Sequence, residues 1–131
     1  MATVLGGYNQ HAYALLRIIS GLLFVCHGGQ KLFGWFGGMD GNGGTVPLAS
    51  LFGTAGVIEL ITGSLITLGL YTGYAAFIAS GQMAVAYFIG HFPQSFWPLE
   101  NKGEIAVLNC FVFLYMATKG SGIWSIDAAR K

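Results

Sequence analysis

The sequence predicts an all-α integral membrane protein, a four-helix bundle, on three observations. Apolar residues make up 54% of the chain and charged residues only 8%, against roughly 25% charged in a soluble globular chain. Three apolar runs reach the roughly 20 residues a spanning helix needs, and a shorter fourth follows them. Glycine- and proline-rich breaks separate the runs. The 131 residues suffice for one domain, 1–131. Six Lys/Arg and five Asp/Glu cannot coat a water-facing surface, so most of the surface must face membrane lipids. The net charge of +1 argues against a nucleic-acid partner, which calls for a basic stripe.

The first span runs from about Ala12 to Phe33. No cleavable leader is expected ahead of it: the first ten residues hold no Lys or Arg, Arg17 interrupts the apolar run, and no A-x-A-like site follows. GWFGGMDGNGG, from Gly34 to Gly44, is too rich in glycine for a helix interior and lacks the GKS/T of a phosphate cradle. The second span is Leu48 to Leu70 and the third Gly73 to Phe92. So short a turn between them allows only antiparallel neighbours. FPQSFWPLENKGE, with two prolines, is a loop, and the fourth span runs from about Asn101 to Thr118. Trp35, Phe36, Trp97 and Trp124 flank the spans as an aromatic belt does. Cys26 and Cys110 stand inside apolar runs without a CxxC and read as small buried hydrophobes. Small residues let membrane helices approach closely, which singles out Gly56 and Gly63 on the second span and Ala76, Ser80 and Ala84 on the third. Lys/Arg asymmetry favours both termini in the cytoplasm: Arg17, Lys119, Arg130 and Lys131 lie on that side. On the other side Lys31 and Lys102 are offset by Asp40, Glu100 and Glu104.

Polar groups inside apolar spans carry the functional information, because a mid-bilayer charge costs about 2.5–3.5 kcal/mol on insertion scales. Arg17, Ser20, Phe24, His27 and Lys31 follow one another at helical steps of three and four and share a face, with Gln30 beside them. Glu59 is the lone charge of the second span and sits near its middle; its expected partner is His27, Gln30 or Arg17. Arg17 either pairs with Glu59 or snorkels to the cytoplasmic surface. The third span carries Gln82 near its middle and a stripe of Ser80, Ala84, Tyr87 and His91; the fourth opens on Glu104 and holds Asn109. One outward-opening funnel of His27, Gln30, Lys31, Glu59, His91 and Glu104, with Glu100 at its rim, accounts for these groups as a ligand site or proton relay. Lys31, His91 and Glu104 are also explained as interfacial helix ends. A haem between His27 and His91 is not expected from two lone histidines.

LLRIISGLLFVCHGGQKLFGWFGG, LFGTAGVIELITGSLITLGLYTGYAA, MAVAYFIGHFPQSFWPLENKGEIAVL and GSGIWSID together resemble the DoxX family of small bacterial and archaeal membrane proteins. The similarity spans Leu15 to Asp127 and is specific in combining HGxxKLFG, the mid-span Glu59 and PLENxGE. The resemblance implies four helices. It also implies an association with a terminal quinol oxidase, with the membrane part of a thiosulfate:quinone oxidoreductase, or with redox-defence complexes. The positions matching the family pattern are His27, Gly28, Lys31, Glu59, His91, Pro98, Glu100 and Glu104. Electron transfer needs a metal, a flavin or a thiol pair, and the chain has no catalytic motif for one. The function expected is therefore an accessory subunit of a quinone-linked oxidoreductase in the cytoplasmic (inner) membrane, working with other subunits and with quinone as ligand. The alternative is a non-enzymatic binder or carrier of a small lipophilic molecule.

Overall fold

A computed structural model describes residues 2–131. Helix α1 (Asn9–Phe33) ends where Gly34 turns left-handed at φ 74 and donates its N–H to Gly29. A compact loop follows, in which Asp40 Oδ1 accepts the N–H groups of Asn42 and Gly44 at 2.8 and 3.1 Å. Helix α2 (Leu51–Leu68) starts at Ser50, whose Oγ accepts the Gly53 N–H. It therefore begins later than Leu48. It closes at Gly69, φ 69, with the paired Gly69→Ile66 and Leu70→Leu65 bonds of a Schellman ending. Helix α3 (Thr72–Gly90) turns straight back. The short α4 (Pro98–Asn101) precedes α5 (Glu104–Lys119), and α6 (Ile126–Ala129) lies in the C-terminal segment. The fourth long helix thus begins at Glu104 and not at Asn101, because Asn101 closes α4 and Lys102 adopts a left-handed φ of 63.

α1, α2 and α3 are each long and apolar enough to cross a membrane. At 1.5 Å per residue the 16 residues of α5 span about 24 Å, a little less than the hydrocarbon core. Large apolar side chains face outward all round the bundle, among them Leu23, Ile61, Phe77, Phe88 and Phe111, as lipid contact requires. The chain is a membrane protein built as a helical bundle.

The helices associate as two tight pairs. In the first, glycines meet glycines: a Cβ on Gly28 would lie 2.8 Å from the Gly56 carbonyl oxygen, and one on Gly63 would lie 2.9 Å from that of Gly21. Each pair of glycines is seven residues apart, so both fall on the stripe that faces the partner helix. In the second, buried Ala75, Ala76, Ala79 and Ser80 of α3 pack on α5, and Ser80 Oγ donates to the Cys110 carbonyl at 2.7 Å. Phe24 against Phe113, centroids 4.8 Å apart, and Tyr13 against Tyr115 at 5.8 Å join the two pairs. Ile66, Met83 and Met116 complete that core. Cys26 and Cys110 are half-buried and unpaired.

Candidate functional site

The glycine contact between α1 and α2 decides where the mid-span charge goes. With Gly56 lacking a side chain, the Lys31 stem lies directly against it. The Lys31 ammonium reaches down one turn to Glu59, where Nζ donates to Oε2 at 2.7 Å and to Oε1 at 3.0 Å. Both side chains are withdrawn from solvent, at 12% and 4% exposure. From the other side Gln82 Nε2 donates to the same Oε1 at 3.0 Å and reaches the Ala55 carbonyl at 3.4 Å. Glu59 and Gln82 are equidistant in sequence from the turn between Leu70 and Tyr71, so the antiparallel hairpin sets them opposite each other. The carboxylate fixes the orientation of the amide, since turning it over would place two acceptors together. Gln82 Oε1 is then a buried acceptor with no donor among the described residues. This ion pair, polarised by an amide and leaving one acceptor open, is the candidate site.

The structure corrects several expectations about its partners. Glu59 meets Lys31 and Gln82, and none of His27, Gln30 or Arg17. The face of α1 that packs is Arg17, Gly21, Phe24, Gly28 and Lys31, whereas His27 sits about 100° round the helix and is exposed. Gln30 Nε2 instead donates to the Gly38 carbonyl at 3.3 Å and pins the loop after α1. His91 Nδ1 bonds the Asn101 carbonyl at 3.0 Å. His27, exposed on α1, and His91, just past the end of α3, therefore belong to different helix pairs. Glu104 is exposed, and Glu100 is exposed with only a Ser95 hydroxyl at 3.1 Å. The single funnel does not form: of its members, Lys31 and Glu59 converge. The exposed Glu100 and Glu104 border an apolar groove of about 760 Å³ along Trp97, Val107 and Phe111.

Arg17 neither pairs with Glu59 nor snorkels; it is fully buried at the opposite end of α2. Its Nη1 donates to the Ile66 and Thr67 carbonyls at 2.8 and 2.9 Å, the negative end of the α2 dipole. Its Nη2 donates to the carbonyls of Ile123 and Trp124 at 3.2 and 2.7 Å. The C-terminal segment is thereby strapped across the α2–α3 turn. Asp127 tightens the strap by accepting from the Tyr71 N–H at 2.8 Å, from Ser121 Oγ at 2.7 Å and from Arg130 at 2.8 Å. These bonds, the Ser121 hydroxyl first, then the Tyr71 N–H and the Arg130 guanidinium, hold its carboxyl below the ordinary range against the opposing effect of desolvation.

One polar residue escaped the sequence reading. Asn101, 1% exposed, receives the Gly103 N–H on Oδ1 at 2.8 Å and donates through Nδ2 to Ser95 and to Tyr87 Oη. Its signal was local: an Asn two residues before Gly is the donor-capturing pattern of an Asx turn.

A family model described as DoxX matches residues 12–92, a stretch that includes Arg17, Lys31, Glu59 and Gln82. An uncharacterized protein of Haemophilus influenzae is 39% identical over 123 residues, covering 92% of this chain and 91% of the relative. No solved structure matches the chain. With the family model matching more than half of its length, the chain belongs to the DoxX family.

Proposed function

We propose that this protein is an accessory subunit of a quinone-linked membrane oxidoreductase, and that Lys31, Glu59 and Gln82 meet the quinone headgroup. The observation that carries the reading is the open acceptor Gln82 Oε1 beside a protonatable ion pair at the middle of the bundle. A quinol hydroxyl supplies the missing donor, and a quinone carbonyl takes a proton of the Lys31 ammonium. Intramembrane ionisable groups of this kind serve proton relays and ligand paths, and quinone reduction needs a proton with each electron. The electrons come from a partner subunit, in keeping with what the DoxX resemblance implies. Arg17, Lys119, Arg130 and Lys131 at the end carrying both termini favour a cytoplasmic location for that end in the inner membrane.

The test is purification in mild detergent, with extracted quinone measured by mass spectrometry and partners identified by pull-down. Quinone should be retained by the wild type and lost on Gln82→Leu, with the variant still folded. A protein with neither quinone affinity nor a stable partner refutes the reading. The groove along Trp97, Val107 and Phe111 favours a second reading, a carrier of a small lipophilic molecule. Retention of a redox-inactive ligand without any oxidoreductase partner would select it.

A further inference from the structure

A second pocket lies at the end of the bundle that carries the termini, between the start of α1, the end of α5 and the C-terminal strap, with a volume of about 1070 Å³. Its walls carry Lys119, Arg130 and Lys131, and Gln10 and Ser121 add neutral polar groups. Two of the cations are held in place by aromatic rings. Lys119 Nζ stands 5.7 Å from the centroid of Tyr13, and the Arg130 guanidinium 5.0 Å from that of Tyr71. The single acidic side chain on the wall is Asp127. It occupies one nitrogen of Arg130 and is itself saturated by Ser121 and the Tyr71 N–H. The Tyr71 side chain also engages Arg130; the remaining Arg130 donors and the Lys119 ammonium are available to an anion. Tyr13 Oη is spent on the Gly120 carbonyl, so it shapes the wall without competing.

Depth identifies the anion. Exposed Tyr71 lines the pocket, and at the same end of the bundle exposed Tyr8 and Trp124 flank His11, whose ring stands 6.0 and 5.3 Å from theirs. Such aromatics sit at the headgroup level of a bilayer. Below the pocket, half-exposed Tyr115 meets Tyr13 edge-on and continues the surface toward the hydrocarbon. A cationic pocket at phosphate depth, with an apolar face leading down from it, has the anatomy of a lipid-headgroup site.

We propose that Lys119 and Arg130 clamp the phosphate of an anionic phospholipid, whose acyl chains descend past Tyr115. The bound lipid ties the C-terminal strap to α1 and α5. Soluble phosphate shares the headgroup chemistry but not the apolar continuation.

The test uses the full chain in phosphatidylcholine nanodiscs, titrated with phosphatidylglycerol, reading bound lipid by native mass spectrometry and the thermal midpoint alongside. Phosphatidylglycerol should be retained and should raise the midpoint, while additional phosphatidylcholine or inorganic phosphate should do neither. Each removed cation should weaken retention about fivefold: Lys119→Gln once, and Lys119→Gln with Arg130→Gln about 25-fold. Lys119 is exposed and its side chain makes no hydrogen bond among the described residues, so Lys119→Gln alone keeps the test valid if the double variant unfolds. Lys102→Gln, at the opposite end, should leave retention unchanged. Equal retention by wild type and Lys119→Gln overturns the proposal, as does an equal effect of Lys102→Gln. An equal rise in midpoint with inorganic phosphate overturns the lipid assignment in favour of a soluble anion.

Discussion

Replacing Glu59 with alanine strands the Lys31 ammonium among apolar helices, and the size of the penalty follows from the geometry. At about 3 Å and an effective dielectric constant of about 20 the pair attracts by about 5–6 kcal/mol. The two oxygens lie 2.7 and 3.0 Å from Nζ and both side chains are buried, so little of this is screened. Against it stands the desolvation of both ions, several kcal/mol each. The net value of the intact pair is therefore small, while the loss of one partner is large, about 3–5 kcal/mol. Glu59→Ala adds the unmet Gln82 amide to that loss. Thermal unfolding in detergent should show Glu59→Ala well below wild type, and Lys31→Met close to it in severity. The double variant Lys31→Met, Glu59→Leu removes both charges and fills the space, so it should recover most of the lost stability. Quinone retention should not return with it, which separates the stabilising role of the pair from the proposed ligand role. A double variant as unstable as Glu59→Ala, or single variants with no effect, would refute the reasoning about a mutually neutralising pair.

Arg17→Met should release the C-terminal strap, seen as faster hydrogen exchange and proteolysis over residues 120–131. The two charged hydrogen bonds lost to the strap, at Ile123 and Trp124, correspond to roughly 3 kcal/mol or more. Gly63→Ala should destabilise by about 1–3 kcal/mol through overpacking against Gly21 and Val25. Gly81→Ala meets open space and should stabilise α3 by about 0.5–1 kcal/mol; thermal midpoints of the two variants should move in opposite directions. The Asp127 carboxyl is held below its ordinary range, so its contribution is present above the unfolded value of about 3.9 and is lost as pH falls through the lower folded value. Strap protection should decline in that acidic window in the wild type, and in Asp127→Asn it should be reduced already at neutral pH. Reporter fusions at Asn42 and Lys131 should report opposite sides of the membrane; a same-side result overturns the proposed topology.

The class of this protein was legible in its sequence because the bilayer imposes a composition. A chain with 8% charged residues and apolar runs of spanning length has one solvent in which it can fold, and internal backbone satisfaction makes it helical there. Glu59 was legible as a buried, partnered group for the same reason, since a mid-span carboxylate must have a partner. Which partner was a tertiary matter. The sequence offered His27, Gln30 and Arg17 as partners of Glu59 and placed Lys31 further toward the outer surface. The interhelical glycine contacts then set the register that puts Lys31 over Gly56 and turns His27 outward. The Gln82 contact was closer to readable, because a tight hairpin pairs residues equidistant from its turn. Arg17 could not be read at all from the local pattern. Its four acceptors are backbone carbonyls of α2 and of a segment over a hundred residues away, and carbonyls carry no side-chain signature. Sequence determined the helical membrane class and the need to bury and pair Glu59; helix packing decided which other polar groups are buried and which of them meet.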